Sequence, residues 1–137
     1  MKSSTVLLSL AGLALFSLGV AAGQIANGPA DSSQRTEIER ADLSGAPGME
    51  VIASTAEYKP GDGVPAHIHH GIEAFYVLQG AMIQVPGKEP MMLPTGRSML
   101  NLRGATHGGW KVVGDTSLKL FTVHVVDKDK PLYDVAR

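Results

Sequence analysis

The chain of 137 residues contains no cysteine, which removes disulfides, thiolate catalysis and thiolate-bound zinc together. Any metal site must be built from histidine and carboxylate. No charge of one sign dominates either. Twelve Lys+Arg stand against 13 Asp+Glu, a net charge of -1 without runs of like charge, so the electrostatic footprint of a nucleic-acid partner is missing. Helical periodicity is scarce beyond the N-terminal segment: only residues 33–42 hint at a 3.6-residue repeat. Internal repeats, a nucleotide-binding glycine loop and a Gly-x-Ser-x-Gly elbow are absent too, and the glycines fall between short β-prone runs.

With 44% hydrophobic and 18% charged residues, the composition is that of one globular domain. A domain of roughly 100 residues buries a self-sufficient core, so a metal would serve function before stability.

The N-terminus has one positive residue, Lys2, then an apolar stretch over 6–20, then small residues. That order is expected of a signal peptide, residues 1–22, with Val20 and Ala22 meeting the small-residue requirement of the cut. Residues 23–34 (GQIANGPADSSQ) read as a flexible leader and 35–137 as the folded domain. The expected location is outside the cytoplasm, periplasmic or secreted, with no stable membrane insertion after cleavage. The alternative is an anchor formed by an uncleaved N-terminal helix. Twin arginines are missing, which favours export of the unfolded chain and metal loading afterwards.

From Arg35 onward the pattern is all-β. Strands are expected over 50–58, 66–69, 73–78, 81–85, 90–93, 98–102, 108–113 and 117–126, divided by Pro and Gly turns such as Lys59-Pro60-Gly61-Asp62-Gly63. About eight or nine strands make a sandwich or barrel.

His67 and His69 stand two apart on one such strand, so both side chains leave the same face, and Glu73 has the same parity. Imidazoles and a carboxylate are donors that first-row divalent metals accept, with positions left open for water or substrate. The series Gly61, five residues, His67, one, His69, three, Glu73, six, Gly80 resembles the first motif of the cupin superfamily at every position. The segment 96–111 resembles the second motif at Gly96, Gly104 and His107, while Leu102 replaces a proline and Lys111 an asparagine. The resemblance implies a single-domain jelly-roll β-barrel of six to eight strands. It also implies metal ligands at His67, His69, Glu73 and His107, of which His107 rests on the imperfect motif. A homodimer formed through edge strands is a further expectation from this fold.

Other residues invite comparison with these. His70 should point away from His69. His124 shares one strand face with Leu118, Leu120, Thr122 and Val126, and is expected as a satisfied core histidine. If it faces the barrel interior it becomes a proton carrier, which makes Glu73 and His124 the candidate catalytic pair. Phe75, Val77, Met82, Met91, Met92, Met99 and Trp110 are expected as ordinary core, with an apolar pocket around the ion as the alternative. Arg97, Arg103 and Lys111 flank the second motif, where a cation could hold an anionic group, although solvated surface charge is the default.

The resemblance implies a metal-dependent enzyme on a small organic molecule, of dioxygenase or other oxidoreductase type. A non-catalytic metal-dependent binding module and a redox-neutral isomerase or lyase are the alternatives. One divalent transition-metal ion is expected, iron, manganese, nickel, copper or zinc, with intrinsic affinity favouring copper, nickel and zinc.

Overall fold

A computed structural model describes residues 34–136, so the expected signal peptide and most of the leader lie outside the described residues. Among these residues the chain is all-β. Its strands are β1 (Arg35–Asp42), β2 (Met49–Tyr58), β3 (Gly63–Val64), β4 (His67–Ile68), β5 (Gly71–Gln79), β6 (Ala81–Gln84), β7 (Met91–Leu93), β8 (Ser98–Asn101), β9 (Trp110–Val113), β10 (Leu118–Asp127) and β11 (Asp134–Val135). No helix among the described residues is long and apolar enough to cross a membrane.

The weak helical pattern at 33–42 yields to strand β1, which pairs antiparallel with β2 from Arg35↔Ala56 to Asp42↔Glu50. The residues explain why: Thr36 and Ile38 are β-branched, and a long neighbouring strand offers a ladder of partners. As an edge strand β1 carries Arg35, Glu37, Glu39, Arg40 and Asp42, a charge density that discourages further strand addition.

The expected closed barrel is not formed. Five strands make one sheet in the order β1-β2-β10-β5-β8, four make a second in the order β3-β9-β6-β7, and β11 with β4 makes a third. Closure requires an unbroken ring of ladder bonds. The prolines Pro65, Pro90 and Pro94 supply no N–H beside the short strands β4 and β7, and the ladders stop there.

Alternation positions the interior. Along β10 every second residue from Leu118 to Val126 is buried, and β2 behaves alike. The register then stacks interior rows across the large sheet. Leu118 faces Tyr58, Leu120 faces Ala56 and Val77, Thr122 faces Ser54 and Phe75, and His124 faces Ile52 and Glu73. The first two rows join Ala81, Ile83 and Val112 of the smaller sheet in the hydrophobic core. Successive interior rows lie about 6.6 Å apart along the strands, so the His124 row sits well away from that core.

Candidate metal centre

Glu73 on β5 lies directly across from His124 on β10 and Asn101 on β8 in the two ladders that flank it. One sheet therefore delivers three polar side chains to one interior row. His67 on β4 and His69 just after it come from the neighbouring short sheet. His107 is brought in by an isolated β-bridge to His67, with His67 N donating to His107 O at 2.9 Å and His107 N to His67 O at 3.0 Å. The two motifs thus meet backbone to backbone. Gly104 N of the second motif also donates to His69 O at 3.1 Å.

The ligand-type atoms of His67, His69 and His107 all lie within 4.8 Å of one another, and so do those of His69, Glu73 and His124. His69 belongs to both groups. The structure therefore gathers all four residues expected as ligands, and it adds His124 beside them. His124 is 2% exposed and His69 3%, so these two rings are shielded from bulk water. His70 does point outward, where its Nε2 meets Asp134 Oδ2 at 2.7 Å.

Each histidine of the first group is fixed by a backbone carbonyl. Nδ1 of His67 donates to Pro65 O at 2.7 Å, that of His69 to Leu132 O at 2.6 Å, and that of His107 to Ala105 O at 2.9 Å. A carbonyl only accepts, so Nδ1 carries the proton in all three and Nε2 is the lone-pair nitrogen of the neutral ring. The Nε2 atoms of His69 and His107 are buried without a hydrogen-bond partner among the described residues. Both sit 3.3 Å from Glu73 Oε2, close but not aligned as hydrogen bonds. Lone pairs of two imidazoles and a carboxylate facing one another repel unless a cation stands between them. The donor set and its orphaned atoms fit a divalent ion; a proton is the only smaller substitute.

Asn101, which no sequence motif singled out, donates through Nδ2 to Glu73 Oε2 at 2.7 Å. Glu73 Oε1 is 3.5 Å from His124 Nε2. Burial alone would raise the pKa of Glu73, but His107, His69, His124 and Asn101 together outweigh it and hold the carboxyl well below the usual range. Burial, reinforced by His107 and His69, lowers the pKa of His67. For His107 burial is outweighed by the Glu73 carboxylate and the Ala105 carbonyl, and its pKa is raised.

The cluster opens into a cavity of about 660 Å³, whose lining includes Phe75, Met91, Met92, Met99, Trp110 and Tyr133. The methionines are not core residues as expected. Met91, Met92 and Met99 are 57%, 55% and 43% exposed and line the mouth of the cavity. Val77 is core, fully buried at 0%. Of the three cations beside the second motif, Arg97 lines the cavity, Arg103 pairs with Asp127 at 2.9 Å and Lys111 is exposed away from it.

Comparison with known proteins bears on this arrangement. Residues 54–124, just over half of the chain, match the model of a family described as a cupin domain. A conserved protein with a double-stranded β-helix domain from Klebsiella pneumoniae has a similar structure, with a TM-score of 0.57 at 13% identity, covering 80% of this chain and 90% of that one. The polyketide cyclase RemF from Streptomyces resistomycificus gives a TM-score of 0.52 at 20% identity, covering 77% and 72%. The DMSP lyase DddQ from Ruegeria pomeroyi gives 0.50 at 18%, covering 63% of this chain but only 43% of the lyase. At such identities these likenesses concern the fold. A search of the curated proteins finds no match.

Proposed function

This chain belongs to the cupin family, and from that premise we propose that His67, His69, Glu73 and His107 hold one divalent transition-metal ion in a metal-dependent enzyme for a small organic molecule. One observation carries the reading. Three histidines are locked by carbonyls in the tautomer that frees Nε2, their ligand atoms lie within 4.8 Å of one another, and the Nε2 atoms of His69 and His107 are buried beside a carboxylate without partners among the described residues.

An ion there would polarise a bound oxygen function and, if iron, manganese, nickel or copper, would add redox chemistry of the dioxygenase or oxidoreductase type. The remaining work falls to the chain itself. The Pro65, Leu132 and Ala105 carbonyls orient the imidazoles, and the Asn101 amide holds one oxygen of Glu73. The other oxygen of Glu73 faces His124 Nε2, a carboxylate and an imidazole placed to pass a proton to or from a substrate in the cavity. That pair also favours a second reading, a redox-neutral isomerase or lyase, since proton transfer there requires no change of oxidation state. The apolar walls would exclude water from the reacting group and accept an apolar substrate body.

The test begins with metal analysis of the purified chain. About one equivalent of ion is expected, and His69→Ala should lose most of it. Metal content unchanged by that substitution overturns the proposal. Oxygen uptake with each loaded metal and a panel of phenols, thiols and keto acids then separates the redox reading from the redox-neutral one. Export of the chain is part of the same proposal and rests on residues 1–22; fractionation of cells expressing the full sequence checks it. A homodimer through a sheet edge other than the charged β1 is proposed from the fold, to be checked by sedimentation.

A further inference from the structure

The cavity has an unusual ionic balance. Among the described residues its charged lining, the histidines aside, consists of Arg35, Glu73 and Arg97. Glu73 is engaged by Asn101 and the imidazoles. The Arg35 guanidinium donates to Ser54 Oγ and lies 3.7 Å from Glu37. Arg97 has no side-chain hydrogen bond or ion pair among the described residues, and its backbone is fixed, with Arg97 N donating to Pro94 O at 3.1 Å and Val77 N donating to Arg97 O at 2.8 Å. An arginine held by its backbone at the cavity rim, with its fork of donors uncommitted, is placed to receive an acceptor from outside the protein.

Its position in the chain sets the geometry. Arg97 stands two residues before Met99 and four before Asn101, both of which face the interior beside Phe75 and Glu73. Four extended residues span about 13 Å. A cation at the rim and the histidine cluster therefore sit at opposite ends of an apolar passage. Midway, Thr122 Oγ1 is a buried hydroxyl without a hydrogen-bond partner among the described residues, in the row shared with Phe75. A polar atom of a ligand would satisfy it.

We propose that the cavity takes an amphipathic organic anion whose carboxylate meets Arg97 at the rim while its apolar body lies along Met91, Met92, Met99, Phe75 and Trp110 toward the histidine cluster. This assignment rests on reading that cluster as the working centre. The rim methionines suit such a body, since unbranched thioether chains adapt to varied apolar shapes. The carboxylate supplies the two acceptor oxygens that a guanidinium engages side by side.

Trp110 is the single tryptophan of the sequence and lines the cavity, so its fluorescence reports occupancy. The full chain, metal-loaded and metal-stripped, is titrated with decanoate and with decanamide, which share a body and differ in charge. Decanoate should bind about tenfold tighter than decanamide in both forms, and Arg97→Gln should erase that preference. Arg97→Lys should restore part of it. Equal affinities, absence of binding by both probes, or a preference that survives Arg97→Gln would overturn the proposal. So would a preference seen only in the loaded form and indifferent to Arg97, because the carboxylate would then sit on the ion. Metal content separates the two ideas: Arg97→Gln should leave it unchanged, whereas the metal reading stands or falls with His69→Ala.

Discussion

His69 Nδ1 lies 2.6 Å from the carbonyl oxygen of Leu132, 63 residues further along the chain. The C-terminal tail is thereby built into the centre. β11 pairs with β4 through Asp134↔Ile68 and Val135↔His67, Ala136 N donates to Ala66 O at 2.8 Å, and the Tyr133 ring packs 5.3 Å from that of His67. Deleting residues 131–137 should weaken metal affinity by roughly 10- to 100-fold, the usual cost of losing a partner that orients a ligand. Competition with a chelator measures this. The core lies in the two large sheets, so the cooperative melt should persist, and equal affinity in the truncated chain would refute the role given to the tail.

Asn101 tests the carboxylate. Its amide holds Glu73 Oε2 at 2.7 Å from a strand that touches no histidine through its ladder. Asn101→Ala should weaken metal binding about tenfold and cost about 1.5–3 kcal/mol of stability through the lost hydrogen bond to a charged group. Leu118→Ala supplies the contrast. That side chain is fully buried in the core, and its truncation should cost about 2–5 kcal/mol while leaving metal affinity untouched.

The sequence made the strands between turns legible because alternation is a local signal. The run 50–58 became Met49–Tyr58 and 117–126 became Leu118–Asp127. It also pointed to His67, His69, Glu73 and His107 as a group, which the fold does gather. Two-residue strands such as β3 and β11 were invisible, since nothing that short establishes a period. Asn101 and Leu132 were invisible for another reason. An amide on an ordinary strand and a main-chain carbonyl carry no pattern, and their role arises only from register. His124 shows the middle case: its face was readable, but its place opposite Glu73 required the pairing of β10 with β5.

The metal-free protein should lose stability in acid, and the signs can be assigned group by group. His67 has a folded pKa below its ordinary 6.5, so unfolding takes up a proton as pH falls through about 6.5 and stability declines. Glu73, held well below its ordinary 4.5, adds a second decline as pH falls through and below that value. His107 runs the other way, since its raised pKa contributes stability present below 6.5 and lost as pH rises through the folded value. His107 should therefore act above pH 6.5 and His67 below it, and below about pH 5, where the Glu73 decline adds to that of His67, the urea midpoint should fall. Bound metal competes with protons for the same nitrogens, so the loaded protein should show a steeper loss, at the pH where ion is released. A urea midpoint that rises from pH 6 to pH 4 in the metal-free chain would contradict these assignments.

Gly108 cradles the His67 ring. It has φ +77°, and a Cβ built on it would lie 2.6 Å from Pro65 O and 3.0 Å from His67 Nδ1, the two atoms that share the ring-orienting hydrogen bond. Gly61 has φ +93° with nothing within 4 Å of its Cβ position. Both Gly→Ala substitutions should therefore cost about 1–2 kcal/mol for the left-handed backbone. Only Gly108→Ala must also push the Pro65 carbonyl away from the imidazole, turning His67 out of line with its companions. Thermal melts should report the shared backbone cost, with a further loss for Gly108→Ala, whose clash is with backbone and cannot be relieved by a rotamer change. Metal affinity should distinguish them cleanly: unchanged in Gly61→Ala and lowered at least tenfold in Gly108→Ala. If both variants keep full affinity, the close approach at Gly108 serves the turn alone and the orientation of His67 is secured elsewhere.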